Sequence, residues 1–194
     1  MNKKIIKEKL FPMFNTKDGI NIYDKLMIDN DSVTYISIPN DAELIMRYID
    51  KHCKYMSYNT HELYITDATA GVGGNVISFA KVFKHVNAIE LDTQRYQYLC
   101  NNINAYEYNN VMCYNDDCLK LIYNLKTDII FFDPPWGNYK EESKLRLKIG
   151  NEYIENICSN LINSDIKLIT LKLPKNYDTD YMLSLFNTSN ISIL

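Results

Sequence analysis

The chain has 194 residues, a length typical of one domain that buries a sizeable core. Its formal net charge is −3, its sequence pI is about 5.6 and no basic stripe is evident, which argues against a grip on long duplex nucleic acid through phosphate neutralisation. No apolar run approaches the ~20 residues of a membrane helix, and no apolar segment of a signal peptide follows the N-terminus, so neither membrane insertion nor secretion is expected.

Residues 1–60 are interpreted as an N-terminal helical preface that covers the ligand site. Within it, a helix is predicted to begin near Asn40–Asp41, just after Pro39. Residues 61–194 are interpreted as the core, and the whole chain as a single domain.

Five short apolar runs predict strands in the core. They are "LYITDA" (63–68), "VNAIEL" (86–91), "VMCY" (111–114), "DIIFFD" (128–133) and "IKLITLKL" (166–173). Between runs, apolar residues recur at helical spacing, as over 76–83, 96–103 and 154–161. Strands that alternate with amphipathic helices predict an α/β fold with a doubly wound, mostly parallel sheet of the Rossmann-like type.

Ligands of such folds bind beyond the carboxyl ends of the strands. The first of these ends carries "DATAGVGGN" (67–75), which holds three of the six glycines in the chain. Glycine permits positive φ and a close approach of the backbone to a ligand, so we interpret the stretch as a cofactor loop. A dinucleotide fingerprint would require Gly or Ala where Val76 stands.

Acidic residues at the ends of three successive predicted strands indicate the kind of cofactor. Asp67 would repel a pyrophosphate but suits the ammonium group of a methionine moiety, and Asp117 is placed to accept from an adenine amino group. Glu90 could hold the ribose of either NAD or S-adenosylmethionine. Together the three acids favour S-adenosylmethionine.

The fourth strand ends in "DPPW" (133–136), which includes the only tryptophan of the chain. The prolines fix φ and remove backbone donors, so the carbonyls of Asp133 and Pro134 are expected to accept hydrogen bonds. Acceptors here would bind an exocyclic amine, and Trp136 would stack on its base for ~1–3 kcal/mol. The motif is typical of a clamp for a planar amine.

The five cysteines form no C-x-x-C pair, and neither they nor the three histidines cluster in the sequence. An odd, scattered set of thiols favours a reducing intracellular compartment, nuclear or cytoplasmic, over a disulfide framework. No metal site is expected.

The stretches "DATAGVGGN", "AIELD", "DDCLKL" and "FFDPPWG" resemble the class I S-adenosylmethionine-dependent methyltransferases. Among these, the chain is similar to the RNA cap guanine-N2 methyltransferases, the trimethylguanosine synthase family. Further matches are "LFPMFNTKDGI" (10–20) and "LPKNYD" (173–178). The resemblance implies methyl transfer to guanine N2 of a 7-methylguanosine RNA cap, with capped RNA or a cap nucleotide as partner.

The resemblance also implies roles for particular residues. The amino-acid part of the cofactor would lie on Asp67 and the glycine loop, its ribose on Glu90 and its adenine on Asp117, with Phe11 closing the pocket. The implied cofactor-binding set is Phe11, Asp67, Thr69, Ala70, Gly71, Gly73, Asn75, Glu90, Leu91, Asp117, Cys118 and Asp133. Asp133 and Pro134 would engage N2, Trp136 would stack on the cap base beside Asn138, and Lys175 would meet the cap phosphates.

Three departures from the family pattern affect the expectation. Asp133 stands where cellular members usually have Ser, which loosens the guanine assignment, and Ile38 stands where Thr is frequent. The sequence ends at "ISIL" (191–194), where the family fold continues through a final β-hairpin. We therefore expect an incomplete hairpin, through truncation or with a partner chain over that sheet edge, because an uncovered edge strand favours aggregation.

Three other functions stay open. The first is amino methylation of adenine N6, or of another base of RNA or DNA, with the basic run Lys140, Lys144, Arg146 and Lys148 contacting a polynucleotide. The second is a non-catalytic subunit, although such a subunit would not need the acids at 67, 90 and 133. The third is an NAD oxidoreductase, which we rank last. The sequence does not determine whether one methyl group or two are added, or whether prior N7 methylation is required.

Overall fold

The computed structural model describes residues 10–137, 140 and 143–186. Five parallel strands form one sheet, namely β1 (Tyr64–Asp67), β2 (His85–Ile89), β3 (Val111–Tyr114), β4 (Ile129–Phe132) and β7 (Leu168–Leu171). Their order across the sheet is β3-β2-β1-β4-β7. Each strand lies within, or one residue from, a predicted apolar run, so the predicted α/β fold with its mostly parallel sheet is confirmed.

Seven helices accompany the described strands. They are α1 (Ser32–Tyr35), α2 (Pro39–Tyr55), α3 (Gly74–Ala80), α4 (Thr93–Ala105), α5 (Cys118–Leu121), α6 (Ile154–Leu161) and α7 (Thr179–Leu185). Helix α2 begins at Pro39, one residue before the predicted start near Asn40–Asp41, and the Asp92 side chain caps α4 by accepting from the Arg95 amide. Over the ranges described, no helix combines the length and the hydropathy required to cross a bilayer.

A small antiparallel ladder, β5 (Lys148–Ile149) with β6 (Glu152–Tyr153), was not predicted from the sequence. Each strand has two residues, which is too short for an alternating pattern to be recognisable. The ladder directly precedes α6.

Strand β1 lies between β2 and β4, with Asp67 opposite Ala88 on one side and Phe131 on the other. The chain first extends the sheet toward β3 and then returns to the other side of β1. The topological switch point therefore lies between the carboxyl ends of β1 and β4, where a ligand crevice is expected.

The sheet separates two apolar clusters. Along β4, Ile129 and Phe131 belong to one cluster and Ile130 and Phe132 to the other, because successive strand side chains point to opposite faces. The first cluster also contains Leu10, Phe14, Ile22, Ile49 and Cys53. Residues 10–60 therefore share a core with the sheet, while their role as a cover over the cofactor stays a prediction. Asn138 and residues 187–194 lie outside the described residues. The incomplete β-hairpin expected at 191–194 therefore stays a prediction.

Candidate active site

The glycine loop is held at the carboxyl end of β1 by its own backbone. The Ala70 amide donates to the Ile89 carbonyl at 2.9 Å, and the Gly73 amide donates to the Ala70 carbonyl at 3.0 Å. Gly71 and Gly73 have φ of +55° and +104°, a region that side chains disfavour. The sequence thus places glycine where the turn needs it, just before α3.

Asp67 is fully buried at the base of this loop. Its Oδ1 accepts from the Thr69 amide at 3.1 Å, and its Oδ2 has no hydrogen-bond partner among the described residues. Burial raises the pKa of Asp67 to about 8, and the negative charges of Asp133 and Glu90 act in the same direction. A buried acid with an unsatisfied oxygen is a characteristic partner for a cationic ligand group.

Glu90, at the end of β2, connects the loop to α4. Its Oε2 accepts from the Gly71 amide at 3.0 Å, while its Oε1 accepts from the Asp92 amide at 2.8 Å and from Arg95 Nε at 3.2 Å. Since a carboxylate offers about four acceptor positions, a ribose hydroxyl can still donate to Glu90. Its predicted ribose contact therefore remains compatible with this bracing role.

Asp133 follows β4 and is tied to the glycine loop. Its amide donates to Thr69 Oγ1 at 2.8 Å, and the nearby Asn75 side chain acts to lower the pKa of its carboxylate. The clamp motif and the cofactor loop are therefore parts of one crevice.

Two residues that the sequence analysis missed complete the surroundings of Asp133. Lys172 Nζ donates to Asp133 Oδ2 at 2.9 Å and to Ser37 Oγ at 2.7 Å, and the Ser37 hydroxyl lies 3.3 Å from the same Oδ2. Burial raises the pKa of Asp133, and the Lys172 charge opposes that rise. We name Asp133, Lys172 and Ser37 the acceptor triad.

Trp136 is half-buried and packs partly against the second apolar cluster. Lys172 Nζ lies 5.6 Å from the centre of the indole ring. Pro134 is buried between Asp133 and Trp136, so the clamp has a rigid centre and a partly accessible aromatic end.

The remaining predicted residues occupy varied environments. Asp117 caps α5 by accepting from the Leu119 amide at 2.9 Å, and Cys118 behind it is buried. Leu91 is 69 % exposed, and Phe11 is 70 % exposed with its ring edge-on to Tyr23 at 6.1 Å. Lys175 is exposed. The ligand contacts of these residues stay predictions, as does that of Asn138, which lies outside the described residues.

The basic run after the clamp is engaged within the protein. Arg146 pairs with the buried Glu155 and lies over the rings of Tyr153 and Tyr181. Lys144 lies 3.6 Å from Asp178 Oδ1. These partners give Arg146 and Lys144 structural roles and weaken the hypothesis that these two residues contact a polynucleotide. Among the described residues, no three metal-ligating side chains converge.

Gly74 sets the distance between the preface and the site. A Cβ at this position would lie 2.7 Å from the Ser37 carbonyl oxygen and 2.8 Å from Ile36 Cγ1, closer than packed atoms tolerate. We expect Gly74→Ala to push Ser37 away from Asp133 and to lower the free energy of unfolding by ~1–3 kcal/mol. Chemical denaturation measures this loss. Adding Ile36→Ala to Gly74→Ala should recover part of the lost free energy of unfolding. If the effects of the two substitutions on that free energy simply add, the contact between the two positions is contradicted.

Comparison with known proteins defines the class. The fold is similar to a precorrin-6y C5,15-methyltransferase from Geobacter metallireducens GS-15, with a TM-score of 0.56 and 15 % identity over 84 % of this chain and 74 % of that one. Together with the strand order and the glycine loop at the switch point, this similarity shows that the chain has the Rossmann-like fold of the class I methyltransferases.

A family model described as RNA cap guanine-N2 methyltransferase matches residues 62–191. The chain belongs to this family. It is also 42 % identical, over 190 residues, to the uncharacterized protein L320 of Acanthamoeba polyphaga mimivirus, covering 87 % of this chain and 74 % of the relative.

The cofactor of this class is S-adenosylmethionine, and the residues of the crevice suit it. Asp67 Oδ2 and Asn75 Oδ1 are buried polar atoms without hydrogen-bond partners in the part of the chain that the structure describes. Both flank the glycine loop, where positive φ at Gly71 and Gly73 lets backbone amides approach a ligand. Acceptors of this kind fit the ammonium group of an amino acid.

Proposed function

We propose that the protein transfers a methyl group from S-adenosylmethionine to the exocyclic N2 amine of a 7-methylguanosine RNA cap. The observation that carries the proposal is the coupling of the clamp to the cofactor loop through the hydrogen bond from the Asp133 amide to Thr69. Membership of the cap guanine-N2 methyltransferase family supports guanine as the base.

In this proposal, one group of residues binds the cofactor and another binds the cap. Asp67 and Asn75 hold the amino-acid part of the cofactor, Glu90 its ribose and Asp117 its adenine. Asp133 and the Pro134 carbonyl accept the two N2 hydrogens, and Trp136 supports the base. Lys175, which is exposed and follows Lys172 by three residues, binds the phosphates.

When bound, S-adenosylmethionine supplies an electrophilic methyl group on a sulfonium. The N2 lone pair of guanine is delocalised into the ring, and acceptors on both hydrogens favour a more localised lone pair aligned with that methyl. Positioning of this kind lowers a barrier by up to ~7–11 kcal/mol. The bound cofactor would give up its methyl group to N2 and leave as the neutral thioether, and Asp133 would accept the proton that N2 releases.

We expect 7-methyl-GTP to be a better acceptor than GTP. A 7-methylated guanine is cationic, and its stacking on Trp136 gains ~0.5–2 kcal/mol, a few-fold to roughly thirty-fold in kcat/KM. Incubation with labelled S-adenosylmethionine and a panel of 7-methyl-GTP, GTP, capped RNA and adenine-containing oligonucleotides measures this preference. Asp133→Ala, which removes the proposed acceptor, is the matched inactive control.

Equal methylation of the two guanine nucleotides would contradict the stacking argument. The Asp133-Pro-Pro-Trp136 sequence also favours a second function, amino methylation of adenine N6, because a carboxylate at position 133 resembles adenine methyltransferases. Transfer to the adenine oligonucleotides alone would establish that alternative and reject the cap assignment.

The free thiols of all five cysteines support our proposal of a reducing intracellular compartment.

A further inference from the structure

Lys172 occupies a position that the cap-methylation proposal does not use. It follows β7 directly, as Asp133 follows β4, and the paired register of Phe132 with Leu171 brings the two side chains together. The Lys172 side chain is 24 % exposed and that of Asp133 is 14 % exposed, so the ion pair is largely shielded from water. Screening by solvent and salt is weak at such a place.

The ammonium of Lys172 acts on both halves of the clamp. It lies 2.9 Å from Asp133 Oδ2 and 5.6 Å from the centre of the Trp136 ring, within the range of a cation–π contact. A bond of 2.7 Å to Ser37 Oγ fixes its direction. A base that stacks on Trp136 would therefore lie close to the lysine charge.

We propose that Lys172 is a specificity-determining residue that sets the electrostatic balance of the acceptor pocket. By pairing with Asp133 it cancels a negative charge that would otherwise attract a cationic base, and by its place at Trp136 it repels such a base. Lys172 thereby allows the acceptor pocket to bind neutral bases as well as the cationic 7-methylguanine. This inference rests on the proposed function for the identity of the base.

A substitution of Lys172 should widen the preference for a cationic base. In Lys172→Gln, the ratio of kcat/KM for 7-methyl-GTP over GTP should rise about tenfold, which corresponds to about 1.4 kcal/mol. Lys172→Arg keeps the cation and should restore the original ratio. Lys167→Gln is the matched control, because Lys167 pairs with Asp128 at the opposite end of the same strand and lies outside the site.

Binding gives a readout that is independent of turnover. Trp136 is the only tryptophan of the chain, so its fluorescence reports base binding at the clamp itself. With S-adenosylhomocysteine present, titration with 7-methyl-GTP and GTP should show the same tenfold widening of the dissociation-constant ratio in Lys172→Gln. No widening in either ratio would overturn the proposal.

The pH profile of transfer provides a second readout that a merely structural lysine would not change. Asp133 is faced by Lys172, just after β7, and by Asp67 from β1, the Ser37 hydroxyl donates to it, and the Asn75 side chain acts to lower its pKa. Without Lys172 the pKa of Asp133 rises further, so the acidic limb of the profile should move to higher pH. If only adenine oligonucleotides are methylated, the cap proposal fails. The acidic limb of the pH profile, measured with an adenine oligonucleotide as acceptor, then still tests the role of Lys172. An unmoved limb would then overturn the lysine's role.

Discussion

Asp67→Ala is expected to abolish binding of S-adenosylmethionine, because the variant lacks the buried carboxylate that would pair with the cofactor's ammonium group. Breaking a buried ion pair by removing one partner costs ~3–5 kcal/mol, which is a loss of affinity of at least about a hundredfold. Asp67→Asn keeps the shape of the side chain and removes only its charge. Isothermal calorimetry should find both variants deficient, and tight binding by the Asn variant would reduce Asp67 to a brace for the Thr69 amide.

Asp67→Asn, although it weakens cofactor binding, should make the cofactor-free protein more stable at high pH. The pKa of Asp67 is raised to about 8 by burial, so the folded protein binds a proton that the unfolded chain releases above pH ~4. The contribution of Asp67 to stability is therefore complete at low pH and is lost as the pH rises toward 8. In the cofactor-free protein, Asp67→Asn should be more stable than the unaltered chain near pH 8 by several kcal/mol and nearly equal to it at pH 4. Denaturation at the two values checks this, and parallel pH profiles would contradict it.

Trp136→Ala is expected to remove most of the transfer activity while leaving a folded protein that binds the cofactor. Stacking of a base on an aromatic face contributes ~1–3 kcal/mol, about 5- to 160-fold in acceptor affinity, and its loss also disturbs alignment of the amine. Because Trp136 is half-buried, Trp136→Ala should lower the free energy of unfolding by less than the ~3–5 kcal/mol expected for a tryptophan in the core.

Three measurements separate the two roles of Trp136. A melting curve reports packing, calorimetry with S-adenosylhomocysteine reports the cofactor site, and a competition assay with 7-methyl-GTP reports the base. Trp136→Phe, which preserves an aromatic face, should retain part of the acceptor affinity. If Trp136→Ala unfolds or loses the cofactor, the residue belongs to the core and the clamp hypothesis is wrong.

The sheet could be predicted from the sequence because parallel strands that are buried on both faces are short, continuous apolar runs. Such a run is visible in "IIFF" (129–132), all of whose side chains are buried. Acids at the strand ends then follow from the rule that ligands bind at that edge. Asp67, Glu90 and Asp133 were identified in this way.

Lys172 and Ser37 could not be found by the same reasoning. Lys172 was counted within the last apolar run, and its contact with Asp133 depends on β4 and β7 being neighbours, which the order of runs along the chain does not reveal. Had the adjacency been assumed, the matched positions after the two strands would have indicated the pair. Ser37 lies between two helices, 96 residues from Asp133, and no periodicity marks it.

The contact of Gly74 with Ile36 and Ser37 bears on how this protein can be recombined with its relatives. The family match begins at residue 62, yet Ser37, on the other side of that point, hydrogen-bonds to the acid of the clamp. A hybrid that joins the first 60 residues of one relative to the remainder of another would combine a serine with a partner that did not evolve beside it. We therefore expect such a hybrid to keep its site intact only if positions 37, 74, 133 and 172, which these contacts link although they are scattered along the chain, are exchanged together.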